Sequence, residues 1–225
     1  MVKQMEIVRL PSGSKCIDSL LGGGFEAGTI TQIYGASATG KTSLCLMLSY
    51  NTALNFGKVA FLDTEGLSWE RVDQIFKDKT ALRNLLVREV YDFRQQSIAV
   101  KELGKLCKKE EIRLIVVDSF TALYRSELED ERAIQVKREL IQQLTFLLGL
   151  ARKHNLAVVI TNQMFTDVKT GEDKPLGGPS LDHLSKIIIS LEKFNSERKA
   201  RLVKHRSKAE GSSCNFRITT KGIEP

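Results

Sequence analysis

Thr29-Ile-Thr-Gln-Ile-Tyr34, then Gly35-Ala-Ser-Ala-Thr-Gly-Lys-Thr42, then Ser43-Leu-Cys-Leu-Met-Leu-Ser-Tyr-Asn51: this stretch decides the fold. The first run is short and partly β-branched, as a strand is, and the last is long and apolar, as a buried helix is. The loop between them fits GxxxxGK[ST], and a strand before and a helix after is the context that gives this pattern meaning. Its glycines let backbone N–H groups curl around phosphate oxygens, and the helix N-terminus adds the positive end of its dipole. Gly35, Ala36, Ser37, Ala38, Thr39, Gly40, Lys41, Thr42 and Ser43 are therefore expected to bind ATP. Lys41 is expected on the β- and γ-phosphates and the Thr42 hydroxyl on Mg²⁺.

Outward from this stretch, β-branched apolar runs alternate with longer amphipathic ones, the pattern of βαβ units and a parallel sheet. Strands are expected at Lys58–Asp63, Leu86–Val90, Arg113–Asp118, Ala157–Asn162 and Lys186–Leu191, besides Thr29–Tyr34. Two more, Ala200–His205 and Cys214–Thr219, are expected to form a C-terminal antiparallel hairpin around Glu210-Gly211. Leu114-Ile-Val-Val117 is apolar on consecutive residues, as a strand buried on both faces must be. Helices are expected at Asp130–His154, where Ile134, Leu140, Ile141, Leu144, Leu148 and Ala151 recur at three- and four-residue steps, and after Ser14 as far as Gly22-Gly-Gly24. No repeat or linker interrupts the pattern. The expectation is one α/β domain over residues 1–225: a P-loop NTPase core with a largely parallel, twisted sheet flanked by helices.

Partners for the phosphate loop appear at other strand ends. Leu114-Ile-Val-Val-Asp118 is an apolar strand ending in a carboxylate, where open α/β sheets bind ligands, so Asp118 is expected to hold the magnesium through water. Phe61-Leu-Asp-Thr-Glu65-Gly66 places Glu65 just past another strand, where a carboxylate can orient water toward the γ-phosphate. Ile160-Thr-Asn-Gln163 places an amide in the same kind of position.

Composition bounds the rest. Of 225 residues 42% are hydrophobic and 27% charged, which is globular, and no run approaches the roughly 18 apolar residues a membrane helix needs. Met1–Leu10 is charged and resembles no signal peptide, so a cytoplasmic location without membrane contact is expected. The four cysteines are scattered and form no CxxC pair, which disfavours zinc, and Cys45 among leucines reads as a small hydrophobe. Net charge is +7, and from Lys193 to Lys221 nine Lys or Arg face two acids, which favours a polyanionic partner over a merely solvated face by a small margin.

The order of landmarks resembles the RecA/RadA recombinase family, and most closely its short archaeal paralogues. The landmarks are Ser12-Gly-Ser-Lys-Cys-Ile-Asp-Ser-Leu-Leu-Gly-Gly-Gly24, the phosphate loop, Asp63-Thr-Glu-Gly66, Val117-Asp-Ser119, Thr161-Asn-Gln163, Pro175-Leu-Gly-Gly178 and Phe216-Arg-Ile-Thr219. The resemblance implies that Glu65 activates water, that Gln163 senses the γ-phosphate and opens a second DNA-binding loop, and that Arg71 stacks on adenine. In that loop Lys169, Lys174, Gly177 and Gly178 are the DNA-binding candidates. Lys204 and Arg206 are candidates to reach the nucleotide of a neighbouring subunit, set against an exposed strand edge blunted by charge. The implied function is a DNA repair and homologous recombination protein with weak ATP turnover. Its implied partners are single-stranded DNA, a recombinase or Holliday-junction-processing protein, and further copies of itself.

Departures from the recombinases matter too. The core begins almost at Met1, no Phe-x-x-Ala occurs, and Ala122–Asp130 is shorter and more acidic than a first DNA-binding loop. Acids there repel phosphate, which argues against filament formation and strand exchange but not against ATP. The alternative is a KaiC-like regulatory ATPase without a DNA substrate; such chains commonly resemble two fused cores with paired glutamates, whereas this one has a single Glu65. A replicative-helicase core is disfavoured because no helicase linker is present.

Overall fold

The computed structural model describes residues 7–128, 133–166, 173–195 and 197–225. Its centre is a nine-stranded sheet. The first strand of that sheet, β3 (Ile30–Gly35), follows a small ribbon of β1 (Arg9–Leu10) and β2 (Phe25–Glu26), with α1 (Lys15–Leu21) between them. Then come α2 (Lys41–Asn55), β4 (Lys58–Asp63), α3 (Trp69–Ile75), a 3₁₀ turn (Lys79–Asn84), β5 (Leu85–Glu89), α4 (Phe93–Lys109) and β6 (Ile112–Asp118). After these run α5 (Ala122–Ser126), α6 (Ala133–His154), β7 (Ala157–Asn162), the short β8 (Met164–Thr166) and β9 (Asp173–Pro175), and α7 (Pro179–Leu184). Four strands close the chain: β10 (Ile187–Phe194), β11 (Glu197–His205), β12 (Ser213–Thr219) and β13 (Gly222–Glu224).

Strand order is β13-β12-β11-β10-β3-β7-β6-β4-β5. From β10 to β5 every pair is parallel, and β11, β12 and β13 continue the sheet antiparallel. The expected terminal hairpin is there, extended by β13 on one side and joined antiparallel to β10 on the other. Side chains alternate between two cores, as the pleat requires. Val59, Phe61, Leu114, Val116, Val159 and Ile189 pack with α1, α2 and α3. Ala60, Leu62, Ile115, Val117, Val158 and Ile160 pack with α4, α6 and α7 on the other face. The consecutive apolar residues of β6 and β7 are thus buried on both sides.

Helix details differ from the sequence expectation in two places. Ile134 is 73% exposed, so the buried stripe of α6 runs instead through Val136, Leu140, Gln143, Leu144, Leu147, Leu148 and Ala151. The first residues of the expected helix, 130–132, lie outside the described ones. Ser14 stands at the N-cap of α1, yet its hydroxyl makes no capping bond. Asp18 does the tethering, accepting from the Ser12 N–H at 2.7 Å and the Gly13 N–H at 3.1 Å. Gly22 ends the helix at φ 75°, as a left-handed C-cap glycine does.

Cys16 on α1 and Cys214 on β12 are joined as a disulfide across a sequence separation of 198. Scattered spacing gave no sign of it. Cys45 is fully buried, and burial pushes its thiol well above the usual range, in keeping with a hydrophobic role.

Candidate nucleotide site

All the strand-end candidates meet at one edge, because β3, β4, β6 and β7 run parallel and finish side by side. Gly35 closes β3 against β10 so tightly that a Cβ there would lie 2.3 Å from the Leu191 carbonyl oxygen. Gly40 takes φ 103° at the N-cap of α2, a conformation that side chains disfavour. The loop between them therefore needs glycine at both ends. Thr39, buried inside it, donates its hydroxyl to the Ala36 carbonyl at 2.9 Å.

Lys41 opens α2 and folds back into the loop, Nζ donating to the Gly35 carbonyl at 2.8 Å and the Ala36 carbonyl at 3.0 Å. Burial holds its ammonium below the usual lysine pKa, and the nearby Glu65 and Asp118 carboxylates partly restore it. Asp118, only 3% exposed, accepts the Thr161 hydroxyl at 2.5 Å and is hydrogen-bonded by the Thr42 side chain. Burial raises its pKa and these two hydroxyls oppose the rise. A hydroxyl and a carboxylate converging beside a lysine at the start of a 15-residue helix form the oxygen donor set that Mg²⁺ prefers and the charge that phosphate requires.

Glu65 is exposed on the turn after β4, and the Gln163 amide donates to its carboxylate. What fixes Glu65 is Asp63, whose carboxylate accepts from the backbone N–H groups of Glu65, Gly66 and Leu67. The Asp63-Thr-Glu-Gly66 landmark gave Asp63 no role of its own, although Asp-x-x-Gly at the end of a strand is the signature of such a side-chain-stabilised turn. Hydroxyls stitch neighbouring tips together. Thr64 Oγ1 donates to the Ser119 carbonyl and accepts from the Ser119 N–H, both at 2.8 Å. Thr121 donates to Asn162, whose amide reaches the Leu176 carbonyl at 2.6 Å. The Asp118–Ser119 peptide bond is cis.

Arg71, in the first turn of α3, binds Ser43 Oγ at 3.1 Å, Gln74 Oε1 at 2.9 Å and the Thr219 carbonyl at 2.7 Å. It thus ties the phosphate-loop helix to β12, and burial lowers its pKa. Lys174 is half-buried on β9, opposite Phe165 of β8, and Lys169 lies outside the described residues. Gly177 and Gly178 take φ 102° and 74° where α7 begins, and a Cβ on Gly177 would strike Leu181, so both have a local structural reason to be glycine.

Lys204 and Arg206 are engaged within their own chain. Lys204 Nζ caps the end of α7, donating to the Asp182 and Ser185 carbonyls at 2.6 and 3.0 Å. Arg206 pairs at 2.7 Å with Glu26, which is fully buried and also held by Arg9 at 2.9 Å.

The chain matches the Rad51 family over residues 3–225. It belongs to the Rad51 family. Among its Rad51-family relatives, the DNA repair and recombination protein RadB of Archaeoglobus fulgidus is 64% identical over 222 residues, covering 98% of this chain and all of that protein. The protein of the same name from Methanococcoides burtonii is 45% identical over 96% of this chain and 97% of its own length. A crystal structure described as the RadB recombinase superposes with a TM-score of 0.81 at 39% identity, covering 96% of this chain and 98% of that one. The α/β architecture, with its parallel sheet and antiparallel C-terminal strands, is that of the family member already solved. Among the described residues, no helix is long and apolar enough to cross a membrane.

Proposed function

We propose that this chain is an ATP-binding and DNA-binding accessory ATPase of DNA repair and homologous recombination, slow in turnover. The reading rests on one observation: Lys41, Thr42, Asp118, Glu65 and Gln163, separated by up to 122 positions, converge on neighbouring strand tips in a Rad51-family fold. In this reading the loop from Gly35 to Ser43 cradles the phosphates and Lys41 neutralises them. Thr42 and, through water, Asp118 hold the magnesium, which when bound withdraws charge from the phosphates. Glu65, fixed by Asp63, accepts a proton from the attacking water, and Gln163 reports on the γ-phosphate through its bond to Glu65. Arg71 offers its guanidinium to the adenine. The second-loop lysines Lys169 and Lys174 bind the phosphates of single-stranded DNA, and the acidic segment after Asp118 makes strand exchange a poor fit. The domain acts as a single unit, assisting a recombinase or junction-processing protein.

Calorimetric titration of the parent and Lys41→Ala with Mg·ATP, paired with a mobility shift on single-stranded DNA, tests this. The parent should bind both, and Lys41→Ala should lose ATP affinity while melting at the parent temperature. A Lys169→Glu/Lys174→Glu protein should bind DNA more weakly, the salt slope of log affinity falling by about 0.7 for each phosphate no longer neutralised. Unchanged ATP affinity in Lys41→Ala would overturn the phosphate-loop assignment. A parent that binds ATP but no DNA at low salt would leave a regulatory ATPase.

A further inference from the structure

Arg198 reaches the phosphate loop from an element that no reading of the sequence connects with it. It stands on β11, opposite Lys193 of β10 and Phe216 of β12. By the two-residue alternation of a strand it shares a face with Ala200 and Leu202, which pack in the core on the side of α2. On that face its Nε donates to the Ala38 carbonyl at 3.2 Å, while its Nη1 binds the Glu197 carbonyl.

Ala38 is itself unusual. Its φ is 60°, in the left-handed region that residues bearing a Cβ disfavour, and it sits in the middle of the loop. The peptide from Ala38 to Thr39 is planar and trans, so its carbonyl and its N–H point in opposite directions. With the carbonyl drawn toward Arg198, the Thr39 N–H is directed away from the hairpin. The orientation of that peptide decides whether the N–H is presented to phosphate.

We infer that Arg198 is a positioning residue for triphosphate binding: it holds Ala38 in its left-handed conformation and so orients the Thr39 N–H for phosphate. This rests on the reading of the loop as a nucleotide site. The residue is too far from the local motif for sequence to suggest the role, yet the parallel pairing of β10 with β3, Leu191 beside Gly35, brings the start of β11 to the loop. A second consequence is that strand β11 and the loop share a hydrogen bond, so displacing one disturbs the other.

The test is a double-mutant cycle read by Mg·ATP titration, with a thermal melt of each protein. Arg198→Met should bind ATP about tenfold more weakly, the ratio that a left-handed alanine's conformational preference corresponds to, with an unchanged melting temperature. Glycine adopts the left-handed region freely, so in the Ala38→Gly background the same Arg198→Met change should cost less than about threefold. An equal loss in both backgrounds would overturn the inference, because a purely electrostatic role for the guanidinium is blind to the conformational preference of residue 38. Parent-like affinity in Arg198→Met would overturn it too. A parent that binds no ATP would instead overturn the nucleotide reading beneath it.

Discussion

Gln163 donates its side-chain amide to the Glu65 carboxylate, Nε2 to Oε1 at 2.5 Å, although 98 positions separate them. Strand β6 lies between the strands that carry them, so the bond spans the tip where Asp118 stands. The residue proposed to activate water and the residue proposed to sense the γ-phosphate are therefore one unit.

That pairing gives the first prediction. Glu65→Gln keeps the shape and loses the base, so it should bind Mg·ATP like the parent and hydrolyse it about a hundredfold more slowly. Gln163→Ala should also slow turnover, by releasing Glu65. Because the two act together, the double mutant should be no slower than Glu65→Gln alone. Single-turnover hydrolysis at saturating ATP measures all three, and additive losses would show that the bond has no part in catalysis.

Lys41 sets a pH limit. Burial holds its pKa below the ordinary 10.5, and a bound triphosphate favours the charged form. Affinity should be flat while Lys41 is protonated and should fall, by up to about tenfold per pH unit, once pH passes the lowered value. Calorimetry between neutral and alkaline pH should show the decline beginning before 10.5. Lys41→Arg, which does not lose its charge in this range, should bind less well but without that decline.

Asp118 carries a cost of the opposite kind. Its folded carboxyl keeps a proton to higher pH than the ordinary 3.8, so the folded state binds more protons than the unfolded chain just above that value. Stability accordingly falls as pH rises from that value through the raised pKa of the folded carboxyl. Asp118→Asn should raise the melting temperature of the free protein by a few degrees while weakening its Mg²⁺-dependent affinity for ATP. Melting curves with and without Mg·ATP should cross in order between the two proteins.

Glu26 tests whether Arg206 is structural. A fully buried carboxylate paired with a guanidinium leaves an uncompensated charge when the partner goes. Arg206→Ala should cost about 2 kcal/mol in denaturant unfolding, softened by Arg9, which remains on the other oxygen. In a Glu26→Gln background the same change should cost well under half as much. If Arg206→Ala leaves stability untouched and alters only ATP-dependent assembly, the arginine faces another subunit.

The sequence was most readable where a chemical group follows directly on an apolar run. Gly35–Thr42, Glu65, Asp118 and Gln163 all sit at or just past the end of a strand, and the strands were legible because each is buried on both faces. What escaped notice depends on which strands become neighbours. Thr161 meets Asp118, Thr64 meets Ser119 and Arg198 meets Ala38 only because β7 inserts between β3 and β6, β4 lies on the other side of β6 and β10 lies beside β3. No local pattern encodes that order. Asp63 is the exception, a local turn residue overshadowed by the glutamate it supports. Ile134 misled for a different reason: helical spacing names a stripe but does not say where the neighbouring helices stop covering it.

Cys16 and Cys214 make most of the chain a closed ring, with the strands from β3 to β11, the phosphate loop and every residue of the nucleotide site inside it. A protease that nicks any surface loop in this span cuts the ring once and yields no separate fragments. Both pieces travel together through a denaturing gel until a reductant is added. Digestion followed only under reducing conditions and digestion followed only without reductant would therefore describe the same molecule in opposite ways, one as cleaved and one as intact.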